Sequence, residues 1–430
     1  MTTTPTKPPW YIPTPGKLIA GLLVIELCLF TADRLSLFGM ERGSGWNVIW
    51  AVGIFLGVIF VGAVWFGVAV VLRSRFQFGI LTLIGLMCCV AVVAGWFGWK
   101  WRMAQRQEAI VERIRELGGW AEYDYQPQWW AECDYRTQAY EVGVKAEEPP
   151  TWLRELVGES FFADVVFINS VGHTDSEMEN LSSFRQLRAL HLSWSSVTDA
   201  GMEHLKGFTN LQYLSLSNTR IGDAGLKHLK GLDLQDLDLG HTKITDAGLE
   251  HLASLTQLQR LTFINTQVGD AGMEHLKGLP RLEYLYLGQT HVGNVGLERL
   301  KQLPRLKQLY LASTQVDDAG LEHLKGLTQL ECLDLNGTKV TDAGLEQLRG
   351  LRQLRELQLA STEVSNAGLE HIGRLTELRD LNLQGTQATD KGVMEQLKGL
   401  TKLEWLGVTH VTNEGVKELQ QAWPNCKIIH

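Results

Sequence analysis

Histidines recur at regular intervals in the C-terminal part of the sequence, and histidine is a common metal ligand. Successive histidines of this set are separated by one or two lengths of an internal repeat. The set consists of His204, His228, His251, His275, His323 and His371. Each falls within a predicted helix, and helices packed side by side have axes roughly 8–10 Å apart. The imidazoles therefore do not converge on one ion, and the pattern indicates an exposed stripe rather than a metal site.

The motifs of common catalytic and nucleotide-binding sites are absent from the sequence. It contains no G-x-x-x-x-G-K-[ST], G-x-G-x-x-G, H-E-x-x-H or G-x-S-x-G. Cys133, Cys332 and Cys426 lie outside the apolar segments and lack metal-ligand spacing. A hydrolase-like site in residues 120–165 is the enzymatic alternative, although no nucleophile–base pair stands out there. We expect a non-enzymatic protein with no catalytic residue, metal or cofactor.

Aromatic and charged residues flank a repeated L-x-L motif, and such residues suit the recognition of a protein. The leucines are constant from copy to copy, whereas the residues before and between them vary, as on a binding surface carried by a rigid scaffold. Tyr284, Tyr286 and Tyr310 form a predicted exposed aromatic cluster. Next to it, Asp334, Glu356 and Asp380 form a predicted acidic flank. The alternative is that these side chains are merely solvated. The predicted partner-binding residues are Tyr213, Asp236, Asp238, Arg260, Tyr284, Tyr286, Tyr310, Asp334, Glu356, Asp380 and Trp405.

A repeat of nearly constant length positions these side chains. An Asp/Asn-x-Gly signature recurs with Gly201, Gly225, Gly248, Gly272, Gly296, Gly320, Gly344, Gly368, Gly392 and Gly415. Each L-x-L alternates with a period of two, as a strand does, so its leucines point inward. In most repeats a serine or threonine lies three places after the second leucine of the L-x-L motif. The hydroxyls of successive repeats form a predicted column that satisfies the backbone polar groups of a buried turn. The Asp or Asn before each Gly stands at the predicted N-cap of an outer helix, which G-L-E-H-L continues.

The repeats predict an α/β solenoid over residues 166–430, with a curved parallel sheet on the concave inner side and helices outside. Val166-Phe167-Ile168 precedes Leu190-His191-Leu192 by one repeat length, so 166–189 is a degenerate first repeat. The segment Trp423–Ile428 breaks the pattern and is the predicted closing cap. Some eleven strands at about 4.8 Å each give a sheet roughly 50 Å long.

The repeat pattern resembles the leucine-rich repeat. Its T-D-A-G-L-x-x-L variant looks like the repeats found beside F-box segments and in GALA-type bacterial proteins. Apolar spans, a Q-x-A-I-x-x-x-I-x-x-L-G-G stalk and then these repeats resemble planctomycete-type membrane-anchored leucine-rich repeat proteins. The resemblance implies a scaffold that binds a protein, without naming that protein.

The N-terminal part is predicted to be an all-α transmembrane region. After a Pro-rich tail at 1–17, residues 18–99 hold two uncharged runs, 46–72 and 78–99, each long enough to cross a bilayer as a helix. Residues 18–38 are either a third span or a signal-like anchor. We predict a multi-pass protein of a bacterial cell membrane. The basic residues divide four against five, so the side that the repeats face stays open.

Two segments join the predicted spans to the repeats. Residues 100–119 form a predicted helical stalk that Gly118-Gly119 ends, and its apolar face either pairs with another copy or packs on the next segment. Residues 120–165 are rich in aromatics and are a predicted cap for the open end of the solenoid, with an aromatic ligand site as the alternative.

Charge excludes one class of partner. Residues 1–99 hold six basic and three acidic residues, which leaves 34 basic and 45 acidic ones for 100–430. An acidic soluble part repels phosphate backbones, so we expect no nucleic acid. The expected partners are a protein on the concave face and the lipid bilayer at the N-terminal helices. The alternative function is a structural, self-associating scaffold of the cell envelope.

Overall fold

A computed structural model of the chain describes residues 80–123, 164–169 and 172–430. Two compact units are distinguished. One holds Met1–Arg113 with Glu122–Val166, and the other holds Ile114–Ala121 with Phe167–His430. The second unit contains the repeats.

Strands follow one another through a single sheet in the order of the sequence. Within the described residues they are β1 (Trp120–Tyr123), β2 (Val165–Asn169), β3 (Ala189–His191), β4 (Tyr213–Ser215), β5 (Asp236–Asp238), β6 (Arg260–Thr262), β7 (Tyr284–Tyr286), β8 (Gln308–Tyr310), β9 (Cys332–Asp334), β10 (Glu356–Gln358), β11 (Asp380–Asn382), β12 (Trp405–Gly407) and β13 (Lys427–Ile429). From β2 onward each strand pairs in parallel with the next. The predicted parallel-sheet solenoid is confirmed.

Short helices alternate with the strands. The α-helices of the described residues are Ile80–Glu116, Asp175–Leu181, Asp223–Leu226, Asn294–Leu300, Asp318–Leu321, Asp342–Leu345, Asn366–Ile372, Asp390–Leu397 and Asn413–Ala422. The 3₁₀ helices are Gly201–Gly207, Lys227–Leu229, Asp246–Ser254, Gly272–Gly278, Glu322–Gly326 and Glu346–Gly350. A 3₁₀ helix rises about 2.0 Å per residue against about 1.5 Å in an α-helix, so it crosses a repeat with fewer residues. Several outer elements are therefore tighter than the predicted α-helix.

Leucines from successive repeats form the core. The middle residue of every strand from β3 to β12 is a leucine that stands in register with the next, as Leu285 does with Leu309 and Leu309 with Leu333. All of these leucines are fully buried. Phe263 and Val408, which replace the last leucine of the motif, are buried as well.

A buried hydroxyl column satisfies the turns after β4 to β11, as predicted, whereas the hydroxyl of Ser195 after β3 has no hydrogen-bond partner among the described residues. Thr338 is typical: its Oγ1 donates to the carbonyl of Leu335 at 2.6 Å. The same bond, three residues back along the chain, is made by Thr219, Thr242, Thr266, Thr290, Thr314, Thr362 and Thr386. The Leu335 carbonyl also accepts from the Thr338 N–H at 3.2 Å, so the hydroxyl supplies its second hydrogen bond. One such bond contributes roughly 0.5–1.5 kcal/mol, so the hydroxyl has a structural role.

The Asp/Asn column joins each repeat to the next. Asp342 Oδ1 accepts from the backbone N–H of Ser365 at 2.7 Å, and its Oδ2 accepts from the Ser365 hydroxyl at 2.6 Å. The prediction that these residues are N-caps is wrong by one position. Ser365 is the N-cap of helix Asn366–Ile372, and Asp342 is the first residue of its own helix. The carboxylate turns away from its own helix because the next repeat offers it an unpaired N–H.

The first repeat pairs two positions away from the predicted register. Ile168 of β2, not Val166, stands opposite Leu190. The helix column nevertheless keeps the full repeat interval, since Asp175 accepts from the Thr198 N–H at 2.7 Å. The repeat is therefore shortened between its strand and its helix.

Helix Ile80–Glu116 contains the predicted stalk and ends just before Gly118, whose φ of +81° suits glycine. Gln107, Val111 and Ile114 on the predicted face are buried. Across 80–123, 164–169 and 172–430, no helix combines the length and the apolar character needed to span a membrane. The predicted segments 18–38 and 46–72, and residues 124–163 of the predicted cap, lie outside the described residues.

Candidate partner-binding surface

Two rows of side chains lie on the face of the sheet opposite the buried leucines, which we call the inner face. Each strand contributes the residue before its leucine to row one and the residue after it to row two. Row one is Ala189, Tyr213, Asp236, Arg260, Tyr284, Gln308, Cys332, Glu356, Asp380 and Trp405. Row two is His191, Ser215, Asp238, Thr262, Tyr286, Tyr310, Asp334, Gln358, Asn382 and Gly407. All the predicted partner-binding residues lie in these rows.

The centre of row two carries a stacked pair of tyrosines. Tyr286 of β7 and Tyr310 of β8 have ring centroids 4.3 Å apart and planes 8° from parallel. The Tyr310 hydroxyl donates to Gln308 Oε1 at 2.9 Å. Both rings are half-buried, so the pair presents an amphipathic surface whose geometry is set by two neighbouring strands.

Tyr284 does not belong to the exposed cluster, so that part of the prediction is wrong. Its side chain is only 3% exposed. The Arg260 guanidinium lies 4.7 Å from the Tyr284 ring centroid, and Arg260 Nη1 forms an ion pair with Asp236 Oδ2 at 3.0 Å. The guanidinium from the neighbouring strand therefore covers the ring. Tyr284 supports Arg260 instead of offering a contact to a partner.

The groups beside the tyrosine pair stay protonated at neutral pH. Burial raises the pKa of the Tyr310 hydroxyl far above its ordinary value, and the neighbouring Cys332 raises it further. Burial also raises the pKa of the Cys332 thiol, with a further contribution from the Glu356 carboxylate. A buried, neutral thiol is a poor nucleophile. Cys332 is therefore a buried packing residue beneath the tyrosine pair and not a reactive group.

Carboxylates of row two have a second role in the turn that follows the strand. Asp238 Oδ1 accepts from the Gly240 N–H at 2.9 Å, and Asp334 Oδ1 accepts from the Asn336 N–H at 2.9 Å. Burial raises the pKa of Asp238, while the bonds from Gly240 and Ser215 lower it. Asp238 is thus held by Gly240 of its own repeat and by Ser215 of the preceding one, with less freedom to bind a partner than the sequence suggested.

His191, Ser215 and Asp238 come together on β3, β4 and β5 but do not form a catalytic triad. Ser215 stands between the other two in register and donates to Asp238 Oδ2 at 3.1 Å. A triad needs the histidine between the serine and the carboxylate. The Ser215 side chain is also fully buried, so no substrate reaches its hydroxyl. The cluster is structural.

The acidic flank lies on β9 to β11, with Trp405 beyond it on β12. Asp380 Oδ1 accepts from Gln358 Nε2 at 2.6 Å, while Asp334 and Glu356 are half-buried. A Cβ at Gly407 would lie 2.6 Å from Trp405 Cη2, so the glycine makes room for the indole against its own strand. Trp405 is half-buried.

Trp194 is a candidate contact that the sequence analysis missed. It follows β3, is 70% exposed and has a φ of +63°, which is unfavourable for a bulky side chain. The equivalent residues of later repeats are Asn218, His241, Asn265, Gln289, Ser313, Gly337, Ser361 and Gly385. A tryptophan among small and polar residues was the signal in the sequence.

His191 predicts a pH dependence of stability. Burial lowers its pKa from 6.5, with Asp238 acting in the opposite direction, and Nδ1 has no hydrogen-bond partner among the described residues. Below pH 6.5 the unfolded chain therefore binds more protons here than the folded chain, so the free energy of unfolding falls as the pH falls. Replacing His191 by glutamine should flatten this part of the curve, measured by urea denaturation between about pH 5 and 7.

Asp238 is present in both chains, and its raised pKa gives the opposite slope. Because His191 lowers the pKa of Asp238, the glutamine variant should show a stronger contribution from Asp238, in the same direction as the loss of the His191 contribution. If the two stability curves stay parallel over this range, His191 does not contribute as described.

The histidine stripe lies on the outer helices. Arg349 Nη2 contacts His371 Nδ1 at 3.0 Å, and His251 Nε2 lies 3.7 Å from Glu250 Oε1. Among the residues that the structure describes, no three His, Cys, Asp or Glu side chains are grouped so as to hold a metal ion.

Comparison with known proteins gives one family match and several similar solved structures. A family model described as "Leucine-rich repeat region" matches residues 167–325 and 266–429, which together exceed half of the chain. No curated protein matches the sequence.

Three solved structures show the extent of the similarity. An internalin (inlF) from Listeria monocytogenes is 22% identical, with 64% of this chain and 86% of the internalin covered at a TM-score of 0.49. A leucine-rich repeat protein of Leptospira interrogans is 18% identical, with 59% and 74% covered at a TM-score of 0.45. Internalin C2 of L. monocytogenes is 22% identical, with 53% and 87% covered at a TM-score of 0.36.

Proposed function

Because the chain belongs to the leucine-rich repeat family, we propose that it recognises a protein partner on the inner face of its sheet and is not an enzyme. The observation that carries the proposal is the Tyr286–Tyr310 stack, with its rings 4.3 Å apart and half-buried on two adjacent strands. Tyrosine combines a large contact area with one polar group and is enriched at the energetic centres of interfaces.

The repeat framework makes this surface rigid before a partner binds. The strands beneath the tyrosines are fixed by buried leucines, and each repeat is bonded to its neighbours. Ordering flexible side chains and loops costs roughly 0.5–1.5 kcal/mol per side chain on association. A stack already held in place avoids most of this cost.

The charge of the inner face selects a partner. Arg260 is paired with Asp236, and Asp334, Glu356 and Asp380 place three further carboxylates on the inner face toward β11. We infer a partner with an apolar or aromatic group for the tyrosine pair and basic side chains for the acidic flank. Such complementarity increases the association rate and excludes acidic competitors.

Alanine at both Tyr286 and Tyr310 should weaken partner capture about 30-fold or more, since truncation of central interface residues costs about 2 kcal/mol or more. Phenylalanine at both positions retains the stack and should bind far better than the alanine pair. Binding is measured by capture from the native cell, with the folded state of each variant checked by circular dichroism.

The control for this experiment lies on the outer surface. Glu322 and Lys325 form an exposed ion pair 3.7 Å apart, and alanine at both should leave capture unchanged. Equal capture by the wild type and the Tyr286/Tyr310 alanine pair would refute the binding surface.

We also propose that the N-terminal apolar segments anchor the protein in a bilayer, as in the planctomycete-type proteins that its arrangement of apolar segments, stalk and repeats resembles. The support is the sequence, above all the run 46–72, which contains no formally charged residue. The full chain should stay with the membrane pellet after an alkaline wash of cells. Recovery in the supernatant would contradict anchoring and would leave the inner-face proposal intact.

A further inference from the structure

Three arginines meet in a cleft beside two consecutive outer helices. Arg349 lies at the end of helix Glu346–Gly350, Arg352 follows that helix, and Arg374 follows helix Asn366–Ile372. Together with Thr376 they line a cavity of about 440 Å³, which we call the arginine cleft. It does not involve the inner face.

Two of these arginines depart from the repeat framework. Arg374 stands where two other repeats have Ser254 and Gln302 and the remaining ones have a glycine, at Gly207, Gly231, Gly278, Gly326, Gly350 and Gly399. Arg352 stands where the other repeats have Thr209, Asp233, Thr256, Pro280, Pro304, Thr328, Thr376 and Thr401. Arg349, by contrast, corresponds to lysines such as Lys277 and Lys325, which suit the end of a helix. The fold therefore forms without the Arg352 and Arg374 side chains, and their presence needs another reason.

The cleft has more positive charge than its neighbours neutralise. Arg349 pairs with Glu346 at 3.4 Å, and Arg374 pairs with Glu370 at 2.9 Å, each with a residue of its own repeat. No carboxylate pairs with Arg352 within the part of the chain that the structure describes. Three guanidinium groups thus face two carboxylates, in a chain whose formal net charge is −8.

We propose that the arginine cleft binds a phosphate group. A guanidinium presents a planar fork of N–H donors that matches phosphate oxygens, and groups from several directions can hold the tetrahedral anion. The C-terminal carbonyl groups of the two outer helices carry partial negative charge and therefore disfavour an anion in this cleft. This effect is small because the helices are only one or two turns long and the arginines carry full charges.

The size of the cavity accommodates more than the anion alone. Ligand pockets are typically about 300–1,000 Å³, so a phosphate together with part of the molecule that carries it fits this cleft. Free phosphate and a phosphorylated serine side chain share the chemistry that the arginines recognise. Their relative affinities distinguish the two sources.

The test is a calorimetric titration of the full chain, in mild detergent, with inorganic phosphate and with O-phosphoserine at about 0.15 M salt. Two variants restore the framework residue at the altered positions, R352T and R374G, and each should weaken binding about tenfold through the loss of a charged hydrogen-bond donor. The matched control is R305Q, an exposed arginine of another repeat, which should leave the affinity unchanged.

Tighter binding of O-phosphoserine than of phosphate assigns the cleft to a phosphorylated side chain, and equal binding assigns it to the free anion. Both results support a phosphate site. The proposal is overturned if neither probe binds saturably below about 10 mM, or if R352T and R374G together bind as tightly as the wild type. Partner capture by the inner face is independent of either result.

Discussion

Replacing Asp342 by alanine should lower the free energy of unfolding by about 3 kcal/mol, because two hydrogen bonds to a charged group are lost. Asp342 accepts from both the backbone N–H and the hydroxyl of Ser365. The Ser365 hydroxyl in turn accepts from the Ala367 N–H at 3.3 Å at the start of the next helix. Without the carboxylate, a partly buried N–H between two repeats has no protein acceptor and the cap loses its orientation.

Asparagine at position 342 is the matched control, since the chain already uses this residue in the same column. Asn366 Oδ1 accepts from the Thr389 N–H at 2.9 Å, and its Nδ2 donates to the Thr389 hydroxyl at 2.9 Å. D342N should therefore cost less than about 1 kcal/mol. Urea denaturation followed by circular dichroism compares the three chains. Equal losses for D342A and D342N would contradict the role of the side-chain oxygens.

Alanine at Gly296 should destabilise the protein by about 2–3 kcal/mol through steric conflict with the same column. A Cβ there would lie 2.6 Å from Asp270 Oδ1 and 2.9 Å from Val292 Cγ1. Asp270 Oδ1 accepts from the N–H groups of Gly293 at 2.7 Å and Gly296 at 2.8 Å. The carboxylate therefore cannot withdraw without breaking the connection between the repeats.

The control is G326A, because a Cβ at Gly326 meets nothing within 4 Å. That substitution should change the free energy of unfolding by no more than about 1 kcal/mol, with stabilisation the expected direction. A D270A background adds a second check, since G296A should then cost much less than in the wild type. A G296A loss of the same size in both backgrounds would show that the glycine is needed for another reason.

The architecture could be predicted because its determinants are local and repeated. The nearly constant repeat length, the alternating leucines and the threonine column each correspond to a contact that recurs along the solenoid. The N-cap assignment failed by one position because the acceptor Asp342 and the donor Ser365 belong to different repeats. Which backbone N–H donates to a given carboxylate depends on how neighbouring repeats stack, and the linear sequence pattern does not contain this information.

The candidate surface was predicted in outline but not in its burial. The period of two assigns Tyr284, Tyr286 and Tyr310 to the same face, where they are found. The burial of Tyr284 depends on Arg260 of the preceding strand. The ion pair with Asp236 holds the Arg260 guanidinium in the position in which it covers the Tyr284 ring. Trp194 and Arg374 were missed, although each is the unusual residue of its column. Comparison of equivalent positions across the repeats would have identified both.

Site-specific photo-crosslinking tests most directly whether the inner face binds the partner. A benzophenone amino acid replaces Thr262, which is next to Tyr286 in register and leaves the tyrosine stack intact. The control position is Lys325, exposed on an outer helix. After irradiation of the native cell, we predict a covalent adduct from position 262 and none from position 325. An adduct of twice the mass of the chain would identify the partner as a second copy, whereas adducts from position 325 alone would contradict recognition by the inner face.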